Sequence, residues 1–312
     1  MARETFHTLI ARNKRNSFLL IAGFMVFFVA IGVLIGQVWG GGDWTFSWVV
    51  AGIAAVVAGL LTLMSFFGGS SAILAMSQAK QIRKADDPQL FNVVEELSLA
   101  AGLPMPKVYL IDDTAMNAFA TGRNPKNAVV AITIGLRNQL KRDELQGVIA
   151  HELSHIRHYD ILYAMLMAVM VGTLVMLCDV FLRSMWWGAG ARRRSSRRSK
   201  DSGGAQIILV VIALVLAIIA PILARVIQMA LSRQREFFAD AGSVELTRNP
   251  SGLAAALAKL SGDQEVLEVA NRATAPMYIV QPIKKFEERS RGLFDTHPPV
   301  GERIKRLQSL TA

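Results

Sequence analysis

The chain has 312 residues, 52% of them hydrophobic, and a mean hydropathy of +0.36, which is too apolar for an ordinary soluble protein. Its net charge is +10, and its one cysteine, Cys178, excludes both an intrachain disulfide and a cysteine metal cluster.

Residues 1–17 read as a short basic leader, with Arg3, Arg12, Lys14 and Arg15. Two uncharged runs follow, Phe18 to Val38 and Thr45 to Phe67, each long enough to cross a bilayer as a helix. A signal peptide is the rival for the first, but the run exceeds a secretory apolar region and a second follows closely. The connector from Trp39 to Trp44 is glycine-rich and flanked by tryptophans, which suit a membrane interface. Residues 18–67 are therefore expected to form a transmembrane hairpin. Lysines and arginines flank it on one side only, in the leader and at Lys80, Arg83 and Lys84, while the connector carries only Asp43. The positive-inside rule places the N-terminus and the segment after the hairpin in the cytoplasm.

Residues 68–160 begin with a helix expected over Ser70 to Lys84. Asp86-Asp87-Pro88 is a helix start for Gln89 to Ala101, whose Leu90, Val93, Val94 and Leu97 share a face. Gly102 to Pro106 breaks it, and Lys107 to Ile111, Asn117 to Thr121 and Ala128 to Ile134 read as strands. A helix then carries His151-Glu152-Leu153-Ser154-His155.

Residues four apart on a helix stand one above the other, so His151 and His155 offer two imidazoles to one point. Neutral imidazole is a good zinc ligand, and a catalytic zinc takes three protein ligands and leaves one position to water. Glu152, beside that face, is the carboxylate that would activate the water toward a carbonyl. Asp143 and Glu144 suit the helix's first turn, and Leu145, Val148, Ile149, Leu153 and Ile156 give it a side to bury. Two surface histidines with no metal are the alternative. His158 lies two turns from His151, about 10 Å along the axis, too far to share a metal, and is expected at the water or lipid boundary.

Residues 161–224 contain two more apolar runs, Ile161 to Leu182 and Ile207 to Ala224, read as a second transmembrane hairpin; buried core helices are the alternative. Between them lies a basic loop, 183–205, with Arg192 to Lys200 at its centre. A four-span topology carries this loop outside, against the positive-inside rule, unless the two runs dip in without crossing. The loop is expected to be solvated or to meet lipid headgroups, and no nucleic acid is expected.

Residues 225–312 supply the remaining candidates. Helical patterns cover Arg225 to Asp240, Leu253 to Leu260 and Gly301 to Leu310. Glu236 and Asp240 are four apart just past the fourth run, so Glu236 is the best third ligand, with Asp240 able to orient a histidine; a surface carboxylate pair is the alternative. His297 could cap the last helix. Outside the membrane runs about 160 residues remain, enough for one α+β domain made from two sequence pieces.

His151 to His155, Arg235-Glu236-Phe237-Phe238-Ala239-Asp240, Asn117-Ala118-Phe119-Ala120-Thr121-Gly122 and Thr296-His297-Pro298-Pro299, in this order around the apolar runs, resemble the HtpX-type heat-shock membrane metalloproteases, relatives of the CAAX prenyl proteases. The resemblance covers nearly the whole chain; only the long loop at 183–205 departs from the family's short hairpin turn. It implies a mostly α, multi-span membrane protein carrying a zincin-like α+β metalloprotease domain with a small β-sheet. It implies one Zn2+ per chain on His151, His155 and Glu236, with Glu152 as general base and His297 supporting the oxyanion. Asp240 and Arg303 resemble the ion pair behind the site. Asn117, Ala118, Phe119 and Ala120 resemble the edge strand that pairs with an extended peptide. The implied setting is the bacterial cytoplasmic (inner) membrane, multi-pass, with the active site facing the cytoplasm. The implied role is cleavage of misfolded or damaged membrane proteins. The rival class is a non-enzymatic membrane scaffold or transporter component with structural histidines.

Overall fold

The computed structural model describes residues 6–174, 233–263, 265–269, 274–280 and 298–310. The chain opens with two long antiparallel helices, α1 (Phe6–Trp39) and α2 (Trp44–Met76). Both are long and apolar enough to cross a membrane. They meet along a seam of small residues, with Ser47, Ala51, Ala58 and Ser65 of α2 buried, while Phe18, Trp44, Trp48 and Phe67 stay largely exposed. An apolar outer surface over a small-residue seam is what lipid contact and close helix packing require. Asp43 caps α2 by accepting a hydrogen bond from the Thr45 amide at 2.8 Å.

The basic residues at 12 to 15 lie inside α1, because charged side chains do not interrupt a helix's own hydrogen bonds; the helix begins well before the apolar run. At the other end α2 stops at Met76, and the segment expected to continue as helix to Lys84 instead gives a two-residue strand, β1 (Lys80–Gln81).

Beyond the two long helices lies a mixed four-stranded sheet with helices against it. After α3 (Pro88–Ala101), strands β2 (Lys107–Ile111), β3 (Ala118–Gly122) and β4 (Ala128–Thr133) follow, in spatial order β1-β2-β4-β3. β2 runs parallel to β4, and β3 pairs antiparallel with β4, with Phe119 opposite Ala131, so β3 is an edge. A short helix α4 (Ile134–Gln139) leads to α5 (Arg142–Arg157), which carries the two histidines. Glu144 holds the start of α5 by accepting from the Lys141 amide and from Lys259 Nζ, both at 2.7 Å. α6 (Asp160–Leu166) and a π-helical turn (Met167–Val171) follow immediately. The rest of the third apolar run, the basic loop, Cys178 and the fourth run lie outside the described residues. The chain is described again in α7 (Arg233–Thr247), α8 (Pro250–Gly262) and α9 (Val300–Gln308).

One core packs α3, α5 and α8 against the sheet through Leu90, Val94, Ile149, Leu153 and Leu257. A second joins the α1–α2 hairpin to the sheet's other side through Phe24, Ile73, Leu74, Phe119 and Met165. Small residues allow α7 and α8 to reach α5. At Gly147 an added Cβ would sit 2.6 Å from the Leu253 backbone, and at Gly242 it would collide with Ser154 Oγ. Ser243 Oγ donates to the Gly147 carbonyl at 2.8 Å, pinning α7 across the middle of α5.

Candidate metal centre

α5 is buried almost throughout, from Glu144 to Ile156, and its two histidines point into the space that α7 closes. His151 Nε2 and His155 Nε2 lie 3.2 Å apart. Glu236, brought over α5 by the close approach at Gly242, places its carboxylate oxygens 3.6 Å from His151 Nε2 and 3.8 Å from His155 Nε2. Candidate ligand atoms of His151, His155 and Glu236 all fall within 4.8 Å of one another.

The other ring nitrogens are taken. His151 Nδ1 lies 3.0 Å from Asp240 Oδ1, and His155 Nδ1 lies 3.0 Å from Asp160 Oδ2. A neutral imidazole that donates from Nδ1 carries a lone pair on Nε2. Two such lone pairs and a carboxylate then converge on one point, which draws a cation there; without a metal, a proton on His151 takes that part. Two nitrogens bound at the usual zinc distance and tetrahedral angle are about 3.3 Å apart, close to the spacing seen. The donor set therefore fits a divalent metal such as zinc.

Behind the cluster, Arg303 of α9 is fully buried and forks onto Asp240, with Nε to Oδ2 at 2.9 Å and Nη2 to Oδ1 at 2.6 Å. Its Nη1 donates to the Ile279 carbonyl at 3.1 Å and stands 3.3 Å from Glu236 Oε2. The guanidinium thus holds Glu236 and Asp240 of α7 in place. Burial would raise the Asp240 carboxyl, but the Arg303 charge and the His151 contact outweigh it and hold it below the usual carboxylate range. For His151 burial disfavours the charged ring, yet hydrogen bonds to Asp240 and Glu236 prevail and lift it to about 9 with no metal in place. Glu152 is buried beside the pair, and burial pushes its carboxyl up while the nearby histidines pull it down. A raised carboxyl is a stronger base than an ordinary one, which suits a group that takes a proton from water and hands it on.

The edge strand is closed more than its sequence suggests. Asn117 bonds Thr133 through its main chain, so the ladder's alternation turns the peptide groups of Ala118 and Ala120 outward. The Ala118 carbonyl already accepts from the Ile279 amide at 2.9 Å, and Asn117 Nδ2 donates to the Val280 carbonyl at 2.9 Å. Phe119 packs edge-to-face on the buried Tyr278.

His158 is buried, not at a water or lipid boundary, because α1 packs over the end of α5 and Asn13 Nδ2 donates to the His158 carbonyl at 2.9 Å. Burial depresses its ring to about 4. His297 lies outside the described residues. Asp160, the His155 partner, was not foreseeable as such from spacing. The available signal was a carboxylate just past the turn that ends the histidine helix. Asn13, buried in the first helix, offered none.

A sequence model described as peptidase family M48 matches residues 84–311 of this chain. A protein of Listeria monocytogenes serotype 4b named protease HtpX homolog is 43% identical over 304 residues, which cover 96% of this chain and 98% of the relative. A protein of the same name from Thermoanaerobacter pseudethanolicus is 43% identical over 313 residues, covering 100% of both. The crystal structure of S. mikatae Ste24p is similar at 18% identity and a TM-score of 0.46, over 96% of this chain and 66% of that one.

Proposed function

The chain belongs to peptidase family M48, among the HtpX-type proteases, and from that premise we propose the working parts and the setting of a zinc-dependent endopeptidase. It is a membrane-associated metalloprotease, which removes the scaffold or transporter alternative. His151, His155 and Glu236 hold the metal, and the carrying observation is their convergence with both Nδ1 atoms already engaged by carboxylates. Bound there, zinc supplies Lewis acidity toward the scissile carbonyl and toward water. Glu152 takes the proton of the attacking water and returns it to the leaving amine, which its burial and raised carboxyl favour. Arg303 and Asp240 keep His151 and Glu236 oriented. His297 supports the oxyanion.

An extended peptide adds to β3 along Asn117 to Ala120, entering at the outward face of Ala120 and displacing Ile279 to pair through Ala118. The substrates are peptides or proteins, in particular misfolded or damaged membrane proteins, and no nucleic acid takes part. The catalytic domain is assembled from residues 68–160 and 225–312. The hairpins 18–67 and 161–224 make the protein multi-pass in a bacterial cytoplasmic membrane, with the site on the cytoplasmic side as the lysine and arginine distribution indicates.

The test is cleavage of an unstructured peptide by the purified full chain in detergent. Chelation stops it and added zinc restores it on this reading. Cleavage that persists in a metal-stripped sample overturns it.

A further inference from the structure

The described contacts around His155 lead into the membrane hairpin. α5 ends in a turn at which Tyr159 takes φ of 61°, a left-handed conformation unusual for a side chain of its size. That turn swings Asp160 back beneath His155. Asp160 opens α6, where an acidic residue commonly just faces the helix's free amides, yet both its oxygens are aimed elsewhere. Oδ2 lies 3.0 Å from His155 Nδ1, and Oδ1 accepts from Asn13 Nδ2 at 2.5 Å. Arg235, buried and lying over the Tyr163 ring, brings its Nε within 3.8 Å of the same Oδ1.

Asn13 belongs to α1. It is 1% exposed, and its one amide nitrogen bridges Asp160 and the His158 carbonyl, so it closes both ends of the turn. Lys14 Nζ rests 4.3 Å above the Tyr159 ring. The first membrane helix therefore clamps the segment that positions a histidine of the metal cluster.

We propose that Asn13 of the first membrane helix and Asp160 form a positioning relay for His155, so that metal affinity is set in part by a membrane helix and not by the soluble domain alone. Asp160 fixes the His155 ring with its Nε2 toward the cluster, and Asn13 fixes Asp160. Losing such a partner of a metal ligand costs about 10–100-fold in affinity.

The inference rests on His155 being a metal ligand, and a double-mutant cycle keeps the two apart. Zinc affinity is measured by chelator competition on the full chain carrying Glu152→Gln, then with Asn13→Ala, Asp160→Ala, the pair, and His155→Ala. Thermal melting of each metal-free form separates misfolding from weakened binding. The relay predicts that Asp160→Ala weakens zinc about 10–100-fold and Asn13→Ala by a smaller factor, that the pair is no worse than Asp160→Ala alone, and that Asp160→Asn restores part of the loss. If Asp160→Ala does not fold, Asp160→Asn takes its place in the cycle. Unchanged affinity in folded Asn13→Ala and Asp160→Ala, or losses that simply add, overturns the relay. Unchanged affinity in His155→Ala overturns the ligand assignment beneath it.

Discussion

His151 and His155 face each other through Nε2 at 3.2 Å, while each turns its Nδ1 to a different carboxylate, Asp240 and Asp160, at 3.0 Å. One carboxylate belongs to α7 and the other is the first residue of α6. Each imidazole is thereby oriented by its own carboxylate, and both Nε2 atoms face the carboxylate of Glu236.

Glu152→Gln separates chemistry from metal binding. Gln keeps the shape and removes the base, so peptide cleavage should fall by about 10²–10⁴-fold or more while zinc content stays that of the parent. Measured turnover close to parental in the purified variant removes Glu152 from the mechanism.

Arg303 is the cation over which Glu236 and Asp240 are held. Arg303→Met leaves Asp240 buried beside Glu236 with only the His151 ring as a partner and should cost up to about 3–5 kcal/mol of stability. Adding Asp240→Asn removes the stranded charge, so the double variant should melt above the single one. A single variant as stable as the parent shows that the pair is not structural.

The metal-free protein should carry a pH signature. His151 stands at about 9 in the folded state against an ordinary 6.5, so folding retains a proton that the unfolded chain gives up. The resulting stability is complete below about 6.5 and drains away as pH rises through about 9. Thermal melting of the stripped protein should decline across that interval, and zinc uptake near neutral pH should release about one proton per chain. A flat melting profile with no proton release contradicts the assignment.

Orientation can be read with single cysteines in a Cys178→Ser background. Asp43→Cys, in the helix connector, should react with an impermeant maleimide in intact cells, whereas Lys84→Cys, after β1, should react only once the membrane is opened. The reverse pattern places the metal cluster on the outer side.

Much of this fold was legible because local chemistry and tertiary contacts agree. β2 occupies the expected Lys107 to Ile111, where a short β-branched and aromatic run lies between turn residues, and α3 starts at its Asp-Pro signal. The histidine helix was legible from spacing and from its apolar face. Boundaries failed where hydrophobicity stood in for hydrogen bonding: α1 runs through Arg12, Lys14 and Arg15, and β1 is two polar residues held only by pairing to β2. The supporting residues were the least visible. Asp160 acts through a left-handed turn at Tyr159 and Asn13 through packing of a distant helix, and neither leaves a period or a spacing in the chain.

The most direct test is the zinc content of the purified full chain with and without Glu236→Ala. Two imidazoles alone hold zinc weakly, so the parent should carry about one zinc per chain and the variant should lose most of it on dialysis. A parent that binds no zinc, or a folded variant that retains as much as the parent, contradicts the three-ligand centre.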